Sequence, residues 1–149
     1  MSLYCVENHR TEEQLLRMQD LERRGVCLFC PDGLAEHSGL KPVWRSESWT
    51  IAPNDFPYQG TSLHLLLIPS EHVTDLADLS GEARAGFFDA LVYAREKYGL
   101  DGYGLGVRNG RCELTGGTIR HLHVHLLVGD PATAADSPVR MRFSSAVQR

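Results

Sequence analysis

A chain of 149 residues, 42% hydrophobic and 23% charged, has room for one domain with a real hydrophobic core and the make-up of an ordinary soluble globular protein. The net charge of −4 excludes a surface built to coat nucleic acid, and no apolar run approaches the roughly 18 residues of a membrane span. No signal-peptide pattern follows Met1, so the expected location is cytoplasmic.

The first predicted element is a helix. Thr11 and Gln14 make a capping box, and Leu15, Met18 and Leu21 recur at helical spacing until Gly25. Cys27-Leu28-Phe29-Cys30 follows. In a cytosolic protein a CxxC is a redox pair or half of a metal site. Pro31-Asp32-Gly33 directly after it reads as a turn, not as the helix start that a redox pair would have, which favours metal. Cys5 and Cys112 are isolated and are expected to be free thiols.

Residues 43–45, 49–52 and 63–68 read as strands separated by Gly and Pro turns. Asn54-Asp55-Phe56-Pro57 is turn chemistry. His64 lies inside the third of these strands and His72 just beyond it; a single histidine in either place is a satisfied structural residue or a ligand. A second helix is predicted from Ser80, with Ala83, Phe87, Leu91, Ala94 and Tyr98 on one stripe and Gly99 stopping it. Residues 103–108 and 119–128 form two more predicted strands. Asn109-Gly110 reads as a turn. Thr115-Gly116-Gly117-Thr118 is either a hairpin turn or a place where backbone N–H groups and a hydroxyl converge on an anion. From Pro131 the chain turns rich in Ala, Ser and Pro and is expected to be irregular, with 139–143 a candidate edge strand. Strands that run together favour an α+β fold with an antiparallel sheet of about five strands and two main helices.

His121-Leu122-His123-Val124-His125-Leu126-Leu127 carries the chemistry. Alternation on a strand puts the three imidazoles on one face and the aliphatic residues on the other. At roughly 3.3 Å per residue, the first and last histidines would sit about 13 Å apart at the backbone, too far for all three to share one ion. At least one is then free to act as a nucleophile or proton carrier, with a neighbour setting its tautomer. Arg108, Arg111 and Arg120 lie near enough in sequence to meet phosphate.

His-x-His-x-His with two aliphatic residues after it resembles the signature of the histidine triad (HIT) nucleotide-binding family. Cys27-x-x-Cys30, Asn54-x-x-Pro57, the run from His64 to His72, and Asn109 ahead of Gly116–Thr118 fall in that family's order, so the resemblance covers roughly residues 26–128. It implies a single HIT domain over 1–149, with helix and zinc turn in 1–40, the triad core in 41–130 and a tail in 131–149. It also implies a homodimer and a purine nucleotide ligand, with no nucleic acid or membrane partner. His123 would be the nucleophile at the α-phosphate of an adenosine nucleotide conjugate or dinucleoside polyphosphate, and the intermediate a nucleotidyl-histidine. His125 and His64 would hold the phosphate or support the nucleophile. Thr118, Gly116, Gly117 and Asn109 would line the phosphates or leaving group, and Asn54 the ribose. In zinc-bearing branches the ligands match Cys27, Cys30, His72 and His121, which implies a closed structural zinc and no catalytic metal.

Departures from the family pattern bear on substrate choice. Gly117 stands where glutamine is frequent, and Val128-Gly129-Asp130 replaces an ending with proline. His125 stands where the phosphorylase and uridylyltransferase branch has glutamine, which favours a hydrolase, although some bacterial diadenosine polyphosphate phosphorylases keep histidine there. The alternatives are a phosphorylase or nucleotidyltransferase, and a nucleotide-binding module with vestigial turnover. A metal-dependent enzyme using all three histidines as ligands is disfavoured by the strand geometry.

Overall fold

Nine residues, Thr61–Pro69, form the longest strand, β3, and the molecule is arranged about it. The computed structural model describes residues 2–145. β1 (Trp44–Arg45), β2 (Trp49–Pro53), β3, β4 (Gly104–Val107) and β5 (Val124–Gly129) make one antiparallel sheet in the order β1-β2-β3-β5-β4. Period-2 alternation sends Leu65 and Leu67 to one face, and His64, Leu66 and Ile68 to the other. On the first face Leu65, Leu67, Trp49, Ile51, Val124 and Leu126 pack with Ala83, Ala90 and Ala94 of α3 (Gly81–Tyr98) as the principal core. Trp49 is fully buried, and its indole N–H is satisfied by Ala83 O at 2.7 Å. Ser80 caps α3 by accepting the Ala83 N–H at 3.1 Å, and Gly99 ends it at φ +59°, a left-handed turn that glycine adopts without strain.

α1 (Glu12–Arg23) is capped by Thr11, which accepts the Gln14 N–H; Gln14 returns its carbonyl to Arg10 N–H at 2.7 Å, one residue earlier than a capping box requires. Met18 and Leu21 bury against Tyr4. No helix among the described residues is long and apolar enough to cross a membrane.

Four local expectations change. The turn expected at Pro31 is the start of a short helix, α2 (Pro31–Glu36), with proline in the first turn where its missing N–H costs nothing. Gly33 allows this close packing, since a Cβ there would meet Cys27 O at 1.9 Å. The strand predicted over 119–128 begins only at Val124: Ile119 makes an isolated bridge to Tyr4, and Leu122 N–H is diverted to Val73 O at 2.8 Å. Only His125 of the triad therefore stands in the sheet. Residues 139–143 make no strand. Cys5 and Cys112 are joined in a disulfide rather than free, 107 residues apart in sequence. Cys5 N–H bonds to Thr118 O at 2.9 Å, and Asn8 reaches Cys112 O and Gly117 O, so the N-terminal segment is held against the loop around α4 (Cys112–Thr115).

Candidate functional site

The second sheet face carries two clusters of side chains. In the first, α2 folds the CxxC back so that Cys27 and Cys30 meet His72, from the loop after β3, and His121. Cys27 Sγ lies 3.4 Å from His72 Nδ1 and 3.5 Å from His121 Nδ1; the matching distances from Cys30 Sγ are 3.3 and 3.6 Å. The two Nδ1 atoms are 3.2 Å apart. Four donors around a tetrahedral ion with metal–sulfur bonds near 2.3 Å and metal–nitrogen bonds near 2.0–2.1 Å stand about 3.3–3.6 Å apart by nitrogen–nitrogen and nitrogen–sulfur pairs, so the set fits such an ion. His121 Nε2 must donate to Pro69 O at 2.8 Å, which leaves Nδ1 with its lone pair toward the sulfurs. Burial, the Cys27 sulfur and Asp32 push the Cys30 thiol up to about 12. A cation among these four groups reverses that balance and draws the thiolates.

The second cluster is a hydrogen-bond relay whose protons are dictated by its ends. Tyr58 N–H donates to His64 Nδ1 at 3.1 Å, so the His64 proton is on Nε2. That proton is given to His125 Nδ1 at 2.8 Å, so the His125 proton is on Nε2 in turn. The antiparallel register puts His64 opposite Leu127 and His125 opposite Leu66, diagonal neighbours on one face. The His125 Nε2 is buried and has no partner among the described residues. Beside it, His123 donates Nδ1–H to His121 O at 2.9 Å, which leaves the His123 Nε2 lone pair bare. The His123 and His125 ring centres are 5.0 Å apart. Phe29 stands edge-on to both His121 and His123, and Tyr58 stacks on His125 at 5.4 Å.

These imidazoles are held neutral. Burial first, then the positive charge of Arg10 and the nearby His123, lower His64 to about 4. His123 is lowered to about 4 by burial, Arg108 and Arg10, and His125 is lowered further still. A neutral imidazole with a free lone pair next to an unspent N–H donor can attack an electrophilic centre while charge on that centre's oxygen is stabilised.

Of the other expected site residues, Asn54 lies at the rim, with Oδ1 accepting Phe56 N–H and Nδ2 3.4 Å from His64 Nε2. Both atoms of that second pair carry hydrogen, so it is a contact rather than a bond. Asn109 turns its Oδ1 to Leu76 N–H at 2.8 Å. Gly116, at φ +78°, spends its N–H on Cys112 O, whereas no described residue takes the Gly117 or Thr118 N–H. Tyr58 and Arg10 were not legible: only the folded chain shows Tyr58 Oη between Arg10 and Arg108. A larger hollow beyond Phe29, lined by Leu34, Arg45, Thr50 and Ser70, contains no histidine.

An antiparallel α+β sheet with this histidine relay and a Cys2His2 cluster beside it defines a histidine-triad protein. The HIT domain family model matches residues 43–132, and the chain belongs to the HIT family. It is 35% identical over 94 residues to an uncharacterized HIT-like protein of Chlamydia trachomatis, covering 58% of this chain and 78% of that one. A HIT-like protein of Chlamydia pneumoniae is 30% identical over 107 residues, 69% of this chain and 91% of its own. Among solved structures, a HIT family hydrolase from Clostridium thermocellum superposes with a TM-score of 0.56 at 25% identity, over 70% of this chain and 90% of that chain. A zinc-bound histidine triad family protein from Mycobacterium smegmatis shares the fold, with a TM-score of 0.55 at 22% identity over 84% and 86%.

Proposed function

We propose that the protein is a nucleotide hydrolase acting on the α-phosphate of purine nucleotide conjugates or dinucleoside polyphosphates through a nucleotidyl-histidine intermediate. The observation that carries this reading is the pair formed by the bare Nε2 lone pair of His123 and the bare Nε2–H of His125. His123 Nε2 would form a bond to the α-phosphorus as the bond to the leaving group breaks, the leaving group departing with the electron pair and taking a proton from solvent. Water would then attack phosphorus and lose a proton to solvent as the bond to His123 breaks, releasing the nucleoside monophosphate and restoring the neutral imidazole. His125 would donate to the phosphoryl oxygen through both steps, and His64 would hold the tautomer. Gly117 and Thr118 N–H would add donors, with Gly116 shaping their turn. Asn109 Nδ2 would meet the leaving group and Asn54 the ribose. The solved hydrolase from Clostridium thermocellum supports the reaction class.

We assign Cys27, Cys30, His72 and His121 to a structural zinc, on their mutual spacing and on the zinc-bound relative from Mycobacterium smegmatis. Zinc would join α2 to the end of β3 and to the segment leading into the triad, and would enter no step of the reaction. A homodimer is the expected assembly. A cytoplasmic location is the expected compartment.

The test is intact mass after mixing the protein with a diadenosine polyphosphate or an adenosine phosphoramidate. A transient gain of one adenylyl group, absent in His123→Ala, is the expected result. Turnover by His123→Ala at the wild-type rate would overturn it.

A further inference from the structure

Arg108 is a built guanidinium with one nitrogen left over. Its Nε donates to Thr115 O at 3.1 Å and to Arg142 O at 2.9 Å, and its Nη1 to Tyr58 Oη at 3.3 Å. The Phe143 ring lies 5.7 Å from its centre, and its stem fills the space beside Gly117, where a Cβ would stand 3.8 Å from Arg108 Cδ. The remaining nitrogen, Nη2, is buried and has no partner among the described residues. No carboxylate pairs with Arg108 among the described residues. A buried guanidinium nitrogen without a partner is costly, and a phosphate oxygen would satisfy it.

A second cation stands beside it. Arg10 also lacks a carboxylate, donates to the same Tyr58 hydroxyl at 3.5 Å and lies 5.2 Å over the Tyr58 ring. Tyr58 stacks on His125, so its ring and hydroxyl connect both guanidinium groups to that relay. Arg108 shares a small cavity with His123, Gly117, Thr115 and Arg120. Arg120 has its own buried, unpartnered Nε, but Glu113 already answers it at 3.4 Å. Preorganised guanidinium forks of this kind recognise phosphate oxygens.

We infer that Arg108 and Arg10 form a clamp for the non-transferred phosphates of the substrate, so that this site favours a leaving group that is itself a phosphate chain over an uncharged one. The clamp rests on the reading of His123 as the nucleophile for its kinetic meaning, but not for its existence as an anion site. The groups of the clamp hold the leaving chain; the bond made and the bond broken remain those at the α-phosphorus.

The experiment compares kcat/KM for diadenosine tetraphosphate and for an adenosine 5′-phosphoramidate in the wild type, Arg108→Met and Arg10→Gln. It also measures binding of inorganic tripolyphosphate to each protein by calorimetry. Arg10 is exposed, so its variant keeps the question open should Arg108→Met fail to fold. Losing one charged hydrogen bond corresponds to roughly 10- to 100-fold. The expected result is a loss of that order on the polyphosphate, at least tenfold larger than the loss on the phosphoramidate, together with weakened tripolyphosphate binding. Equal losses on both substrates, or unchanged tripolyphosphate binding in the variants, would overturn the clamp. If the wild type turned over neither substrate yet bound tripolyphosphate through Arg108 and Arg10, the clamp would stand and the hydrolase reading would fall.

Discussion

His64 faces inward with its Nδ1 lone pair taken by Tyr58 N–H, so protonation there breaks the first link of the relay. The folded chain holds this imidazole at about 4, through burial, Arg10 and His123, against about 6.5 when the chain is unfolded. The sign follows. Above pH 6.5 both states are neutral and the full stability is present. As pH falls from 6.5 toward 4 the unfolded state takes up a proton that the folded state refuses, so stability falls; below 4 the loss flattens. His64→Gln keeps an acceptor but removes that proton. Its melting temperature is therefore expected to depend less steeply on pH between 6.5 and 4 than that of the wild type, and equal slopes would refute the assignment. At this scale the resemblance to the histidine triad family pointed to His123, His125 and His64, which the fold brings onto one face. It could not order their protons, because those are set by the Tyr58 N–H and the His121 carbonyl, which only the folded backbone brings within reach.

α2 is the element whose position depends most on the cluster beside it. It buries Leu34, with Phe29, against Leu66 and Ile68 in a satellite of the main core, with few other apolar anchors. A zinc ion shared by Cys27, Cys30, His72 and His121 would fix this element, and binding that occurs only in the folded state adds directly to stability. Chelation of the purified protein is expected to lower its melting temperature on the order of 10 °C, as would Cys27→Ser with Cys30→Ser, and elemental analysis should give one zinc per chain. Unchanged melting after complete chelation would remove the structural role. The elements also show where sequence reading ends. Alternating His and Leu over 121–125 has the period of a strand, yet the Leu122 N–H goes to Val73 and the ladder starts later. Pro31-Asp32-Gly33 reads as a turn in sequence, yet Pro31 opens a helix, in a close packing on Cys27 O that only glycine at 33 allows. The Cys5–Cys112 pair joins positions 107 apart, and nothing in either local sequence marks its partner.

For the whole molecule, the α+β class and the antiparallel sheet were readable because long apolar runs and turn residues alternate without intervening helices until Ser80. The assembly was not readable in that way, since an exposed apolar residue on an edge strand looks the same in sequence as one in the core. β4 ends the sheet: it pairs with β5 on one side and with no other described strand. Leu105 on that strand is 45% exposed and neighbouring Tyr103 36%, while Phe88 and Val92 of α3 are also exposed. An open strand edge carrying apolar side chains is an association site unless something covers it. A second copy offering the same edge would extend the sheet and cover these residues by two-fold symmetry. Sedimentation is therefore expected to give a dimer for the wild type and a monomer for Leu105→Glu, whose two copies would bring like charges together across the edge. The variant should keep its secondary structure, because Leu105 lies outside the principal core. A wild-type monomer at micromolar concentration, or a Leu105→Glu dimer of equal strength, would place the contact elsewhere.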